Sequence, residues 1–357
     1  MTTSPILRSL ALAGAGLAFF GAASAQAEVQ KRHFEIVTGT HTNNFVTTLE
    51  LPFFNEELPE RSGGKITTNA VPYTELGLTG FEILELLELG TSDISFGVIG
   101  YISGTSPIVE GLELPGLTND LETFRAALAD YRPLLETQFE ENHHAKLMVL
   151  YVQPKLQAYC KLSEAETEGF TLDTLRGKKM RVHSTAYANF VEGLGGVPVT
   201  MAFADIVPAL ERGVLDCAIT APNAAYGAKM QQITNAIVDL PAGYSTHFLA
   251  MNGDTWNSLN EDTQAFMTEQ FADLEARYKE FTVTATEEAL ACLTDGPCGI
   301  GEPGGMTLIS MDAAEEEALK PTVETYVLKR WAERCGDGCA AEWNELVGGT
   351  LGLTAAP

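Results

Sequence analysis

The residues best suited to chemistry lie between Leu175 and Asn223. There the strand-like stretch GKKMRV, Gly177 to Val182, carries Arg181, with His183 just beyond it and Phe203, Thr220 and Asn223 spaced over the segments after it. A lone guanidinium at the end of an apolar strand, facing small residues, has the chemistry to grip one small anion, because its planar fork of N–H donors matches a carboxylate in two bonds. The same residue could instead make a structural ion pair with one of the chain's many acids, and spacing alone does not choose between the two.

The elements that must position these residues can be read from pattern. Asp173 caps a short turn closed by Gly177, and Lys179 to His183 alternates as a strand does. Tyr187 to Leu194 reads as a helix closed by Gly195-Gly196, Val197 to Met201 as a strand, Ala204 to Arg212 as a helix closed by Gly213, and Leu215 to Thr220 as a third strand. Strands alternating with helices predict a parallel α/β sheet. Ligands of such sheets sit beyond the carboxyl ends of the strands, where Arg181, His183, Phe203, Thr220 and Asn223 fall.

The first half of the chain repeats the pattern. Phe34 to Thr38, Lys65 to Val71 and Asp93 to Phe96 read as strands, Phe81 to Leu89 as a helix closed by Gly90, and a polar helix from Leu121 to about Asn142 leads into the strand Lys146 to Tyr151. A mature chain of about 330 residues exceeds what one core holds. Two lobes are therefore expected: 28–152, with about 242–262 returning to it, and 153–241, with 294–357 packing on it. Loops after the first-lobe strands bring His41, Asn43, Tyr73, Glu75 and Tyr101 toward the cleft, and Gln153 and Gln157, flanking a crossover at Pro154, are expected within reach of the ligand. From Glu261 to Leu293 there is neither Gly nor Pro, Asn260 is a good N-cap, and Met267, Phe271, Leu274, Tyr278, Phe281, Ala285 and Ala289 recur at three and four residues. Such a helix is about 50 Å long and should run across both lobes; the alternative is two helices broken near Thr282 to Thr286.

Residues 1–27 carry one cation, Arg8, then an apolar run from Leu10 to Phe20 and small residues with two A-x-A sites, the pattern of a cleavable secretory leader. No later stretch approaches the roughly 20 apolar residues of a membrane span. In an exported chain the six cysteines read as disulfides. Cys292 with Cys298 and Cys335 with Cys339 bracket short turns, leaving Cys160 and Cys217 as a third candidate pair, though sequence leaves the connectivity open. Zinc would need four converging ligands, and the adjacent His143 and His144 read as solvated; no metal or cofactor is expected. The net charge of −26 disfavours nucleic acid and anionic membrane surfaces as partners. An exported α/β hydrolase is the alternative class, but neither G-x-S-x-G nor H-E-x-x-H occurs.

Several motifs carry a resemblance. ERSGGKI (Glu60 to Ile66), PYTELG (Pro72 to Gly77), LELGTSDISFG (Leu87 to Gly97), LRGKKMRV (Leu175 to Val182), GLGGVPVTMAFADIVPALERGVLDCA (Gly193 to Ala218) and the long helix occur in the order found in the periplasmic solute-binding proteins of tripartite ATP-independent periplasmic (TRAP) transporters, the DctP-type family, which this chain resembles over nearly its whole mature length. The resemblance implies a two-lobed α/β periplasmic binding protein of type II-like fold with a long helix spanning both lobes. It implies a monomer in the periplasm that closes on a small organic acid and delivers it to TRAP membrane subunits. Arg181 matches the family's carboxylate-pairing arginine. Thr220 stands where the family often places a ligand-contacting Asn or Trp, and LDCA replaces the commoner Val-Asp-Gly, so this chain departs from the usual ligand set.

Overall fold

The computed structural model describes residues 1–2 and 28–356; the leader expected at 1–27 falls, but for its first two residues, outside them. In chain order the strands are β1 (Arg32–Thr38), β2 (Ile66–Pro72), β3 (Ile94–Val98), β4 (Ala145–Val152), β5 (Gln157–Cys160) and β6 (Lys179–Val182). They continue with β7 (Val197–Thr200), β8 (Cys217–Thr220), β9 (Ala236–Asp239), β10 (Thr246–Asn252) and β11 (Thr307–Ser310). Two sheets result, one ordered β2-β1-β3-β10-β4 and the other β11-β9-β5-β8-β6-β7.

The expected parallel unit is present as β8-β6-β7, with Arg181 of β6 opposite Val199 and Ala218. Neither sheet is wholly parallel. β5 runs antiparallel to β8 and β9, and β10 antiparallel to β3 and β4. The physical reason is the crossover: β4 leads directly into β5, and β9 returns directly into β10, so the two long runs lie side by side in opposite directions. Between them Gln153 N–H donates to Ser245 O at 2.9 Å and Leu156 N–H to Gly243 O at 2.9 Å, so the backbone stays paired where the chain passes between the sheets.

One unbroken helix spans Glu261–Leu293, and the Asn260 side chain accepts the Thr263 N–H as its cap. A run of good helix formers opened by that cap and carrying one apolar stripe has no reason to break; at Thr282, inside the β-branched cluster, the hydroxyl donates to Val152 O and Tyr278 O instead. Met267, Phe271, Leu274, Tyr278 and Ala285 belong to a core with Phe45, Val149 and Tyr151 of the first sheet's layer, whereas Leu293 packs with Ala225, Met230 and Ile237 of the second. The helix thus touches both units. Among the described residues no helix is long and apolar enough to cross a membrane.

The C-terminal segment differs from the expectation that 294–357 packs on the second lobe. β11 does join β9 there. Trp331 and Trp343, however, are buried and donate to Pro107 O at 2.8 Å and Gly111 O at 2.7 Å, so the last helices strap the first unit to the second. Two large aromatics need a deep apolar seat, and the layer under the helix Leu121–His143 supplies it. The disulfides are Cys160–Cys217, Cys292–Cys298 and Cys335–Cys339. His143, read as solvated, is instead buried and paired with Glu88 at 2.7 Å, while His144 is exposed beside Asp254.

Candidate functional site

Arg181 is only 3% exposed, yet it has no acidic partner. Its Nε donates to Met201 O at 2.8 Å, Nη1 to Ile219 O at 3.0 Å, and Nη2 to Tyr101 Oη at 3.4 Å. A guanidinium has five N–H donors. Three are used to aim it, and two are left to face the cavity. Ala218, opposite it on β8, is small enough to leave room. Burial pulls the guanidinium below its ordinary pKa while the Tyr101 hydroxyl opposes the shift, the electrostatic signature of a cation that lacks its counter-ion.

The cavity lies between the sheets. It measures about 60 Å³, several times the ~15 Å³ that admits one water, and so has room for more than a single water or ion. The lining includes Asn43, Tyr73, Tyr101, Arg181, His183, Phe203 and Thr220 of the sequence-predicted set. Gln153, expected at the crossover, lines it too, as do Thr40, Phe96, Ser245 and His247. No carboxylate and no second permanent cation lines it. Burial pushes His247 down to about 3, and burial together with the charge of Arg181 holds His183 well below the usual imidazole range. Both rings are therefore neutral at pH 7, and Arg181 is the one charge on the wall. Behind His183, with Nε2 to Oε2 at 3.8 Å, stands Glu113. Burial pushes its carboxyl up to about 8, and that carboxyl accepts the Thr246 N–H. Burial also raises the Tyr73 hydroxyl above the usual phenol range.

Contacts between the units complete the site. Tyr101, from the short helical turn Ile99–Ile102 after β3, accepts the Phe203 N–H at 2.9 Å as well as facing Arg181. Gly100 in the same turn permits this approach, since a Cβ there would stand 2.6 Å from the His183 ring. Gly227 likewise lets the second unit meet the loop at Thr42, whose carbonyl oxygen would lie 1.8 Å from any added Cβ.

Four predicted residues are not on the cavity wall. His41 and Glu75 pair with each other at 2.5 Å on the surface, each about half exposed; the loops turn outward because Thr40, closer to β1, occupies the wall. Gln157 is buried but turned toward Tyr159 and Asp239, since alternate residues of a strand face opposite sides. Asn223 stands behind the wall, its Nδ2 donating to Asn43, Asn44 and Gln153. Asn43 combines both expected roles, lining the cavity while its Oδ1 accepts the Phe45 N–H. His247 had no local signal, for it lies on β10, which reaches the site only by long-range antiparallel pairing.

Two sheets joined by a paired crossover, braced by one long helix and closed over a cavity with a single unpaired cation, define a solute-binding protein. The sequence profile of DctP, described as bacterial extracellular solute-binding protein, family 7, matches residues 37–334, and the chain belongs to this family. The family is one of extracellular solute-binding proteins, which removes the hydrolase alternative. The C4-dicarboxylate-binding periplasmic protein DctP of Rhodobacter capsulatus is 27% identical over 177 residues, 49% of this chain and 51% of that protein. The chain thus spans about half the length of that relative. Among solved structures, DctP7 of Bordetella pertussis, an extracytoplasmic solute receptor binding pyroglutamic acid, superposes with a TM-score of 0.77 at 18% identity, covering 89% of this chain and 99% of that one. A TRAP periplasmic solute-binding protein from Desulfovibrio salexigens with bound orotic acid gives 0.78 at 16% identity, covering 90% and 98%.

Proposed function

We propose that the chain is a monomeric periplasmic receptor that encloses a small organic acid between its two units, with Arg181 as the carboxylate's partner, and hands it to TRAP membrane subunits. The observation that carries this reading is the buried guanidinium of Arg181, held by two carbonyls and a phenol and facing no acid. Leaving a buried charge uncompensated is costly, so an anion in the cavity stabilises the closed form. Asn43, Tyr73, Tyr101, His183, Phe203 and Thr220 surround that anion. The pyroglutamate and orotate named for the two structural relatives are both small carboxylates, which supports the class. Calorimetric titration of small organic acids into the wild type, Arg181→Lys and Arg181→Ala tests it. Binding should weaken in that order, and wild-type affinity in a folded Ala variant would remove Arg181 from the site.

A further inference from the structure

The wall of the cavity distinguishes kinds of acid once Arg181 is taken as the partner of a carboxylate. Resting on that reading of the site, we propose that the ligand carries a single negative charge: a monocarboxylate rather than a dicarboxylate.

The inference comes from counting charge. Arg181 is the only Lys or Arg on the wall, and its two free N–H donors suffice for one carboxylate. A second carboxylate would lie among Asn43, Gln153, the aromatic rings and two histidines, with no cation to meet it. Burying it unpaired is the situation that proteins avoid. Glu113, just behind His183, would repel it further whenever ionised.

Two probes of equal chain length separate one charge from two: succinate and succinamate, in which one carboxylate of succinate is replaced by an amide. Calorimetric titration of the full chain should give succinamate at least about tenfold tighter than succinate. Succinate binding as tightly as succinamate would overturn the single-charge inference and leave the role of Arg181 standing. No response to either would overturn the carboxylate reading along with the inference built on it.

Discussion

Two arginines far apart in the chain meet burial in opposite ways. Arg181 is enclosed with no acid beside it, its donors spent on carbonyls and a phenol. Arg334, in the C-terminal strap and 28% exposed, donates to Glu110 at 3.0 Å, and the fully buried Glu110 also accepts the Ala186 N–H at 2.7 Å. One cation is left short of a partner and the other completes a three-way tie between the strap, the turn at 109–112 and the helix Thr185–Gly193. The difference teaches that burial alone does not mark a binding residue. The missing counter-charge does.

The comparison breaks first, and most visibly, at Arg181. Arg181→Ala should cost roughly 3 to 5 kcal/mol of ligand affinity, or about two to four orders of magnitude in Kd, while the ligand-free melt moves little because no acid is orphaned. Arg181→Lys should fall between, since it keeps the charge but loses the fork. Isothermal titration beside ligand-free melts reads both.

Arg334→Met should do the reverse. It strands Glu110 in the interior, and urea unfolding of the ligand-free protein should show a loss of about 3 kcal/mol, the low end for a broken buried pair because Arg334 is partly exposed. Ligand affinity should stay within about twofold. A large affinity loss without a stability loss would erase the distinction between the two arginines.

A smaller effect sharpens the picture through pH. Glu113 ionises near 4.5 in the unfolded chain and near about 8 in the folded one. Between those values the folded state keeps a proton that the unfolded state has released, so stability falls as pH rises across the window. Glu113→Gln should flatten that slope in pH-dependent denaturation. His247 acts on the other side: its folded pKa of about 3 lies below the ordinary 6.5, so stability falls as pH drops below about 6.5. Ionised Glu113 also stands near the cavity, so wild-type affinity for an anion should decline above pH 8 and that of Glu113→Gln should not.

The smallest expected effect belongs to His41→Ala. The pair with Glu75 is about half exposed, and such pairs contribute on the order of 0 to 1 kcal/mol. Affinity and melting temperature should both stay near wild type, and a tenfold affinity loss would return His41 to the site.

What the sequence made legible was local. The helix Glu261–Leu293 could be bounded to the residue because cap, stripe and absence of breakers are all neighbours in the chain. The β6–helix–β7 unit around Arg181 was readable for the same reason, through Gly177 and Gly195 in left-handed turns. The rest depends on distant partners. β5 and β10 take their antiparallel places only through the crossover, and with them come Ser245 and His247. The seats of Trp331 and Trp343 lie more than 200 residues earlier. That His41 points outward while Thr40 points in is set by the turn of one loop, which residue types do not encode.

The long helix, finally, is unequally shared. Its buried side chains from Met267 to Ala285 are locked among the aromatics of the first sheet, and only its last turn, at Leu293, enters the core of the second. The Cys292–Cys298 loop closes that end, and Met306 N–H donating to Leu293 O at 3.0 Å carries the chain on to β11 at the second sheet's edge. The helix is thus a tie rod, welded along most of its length to one body and fastened to the other at its C-terminal end and against the helix Pro222–Gly227.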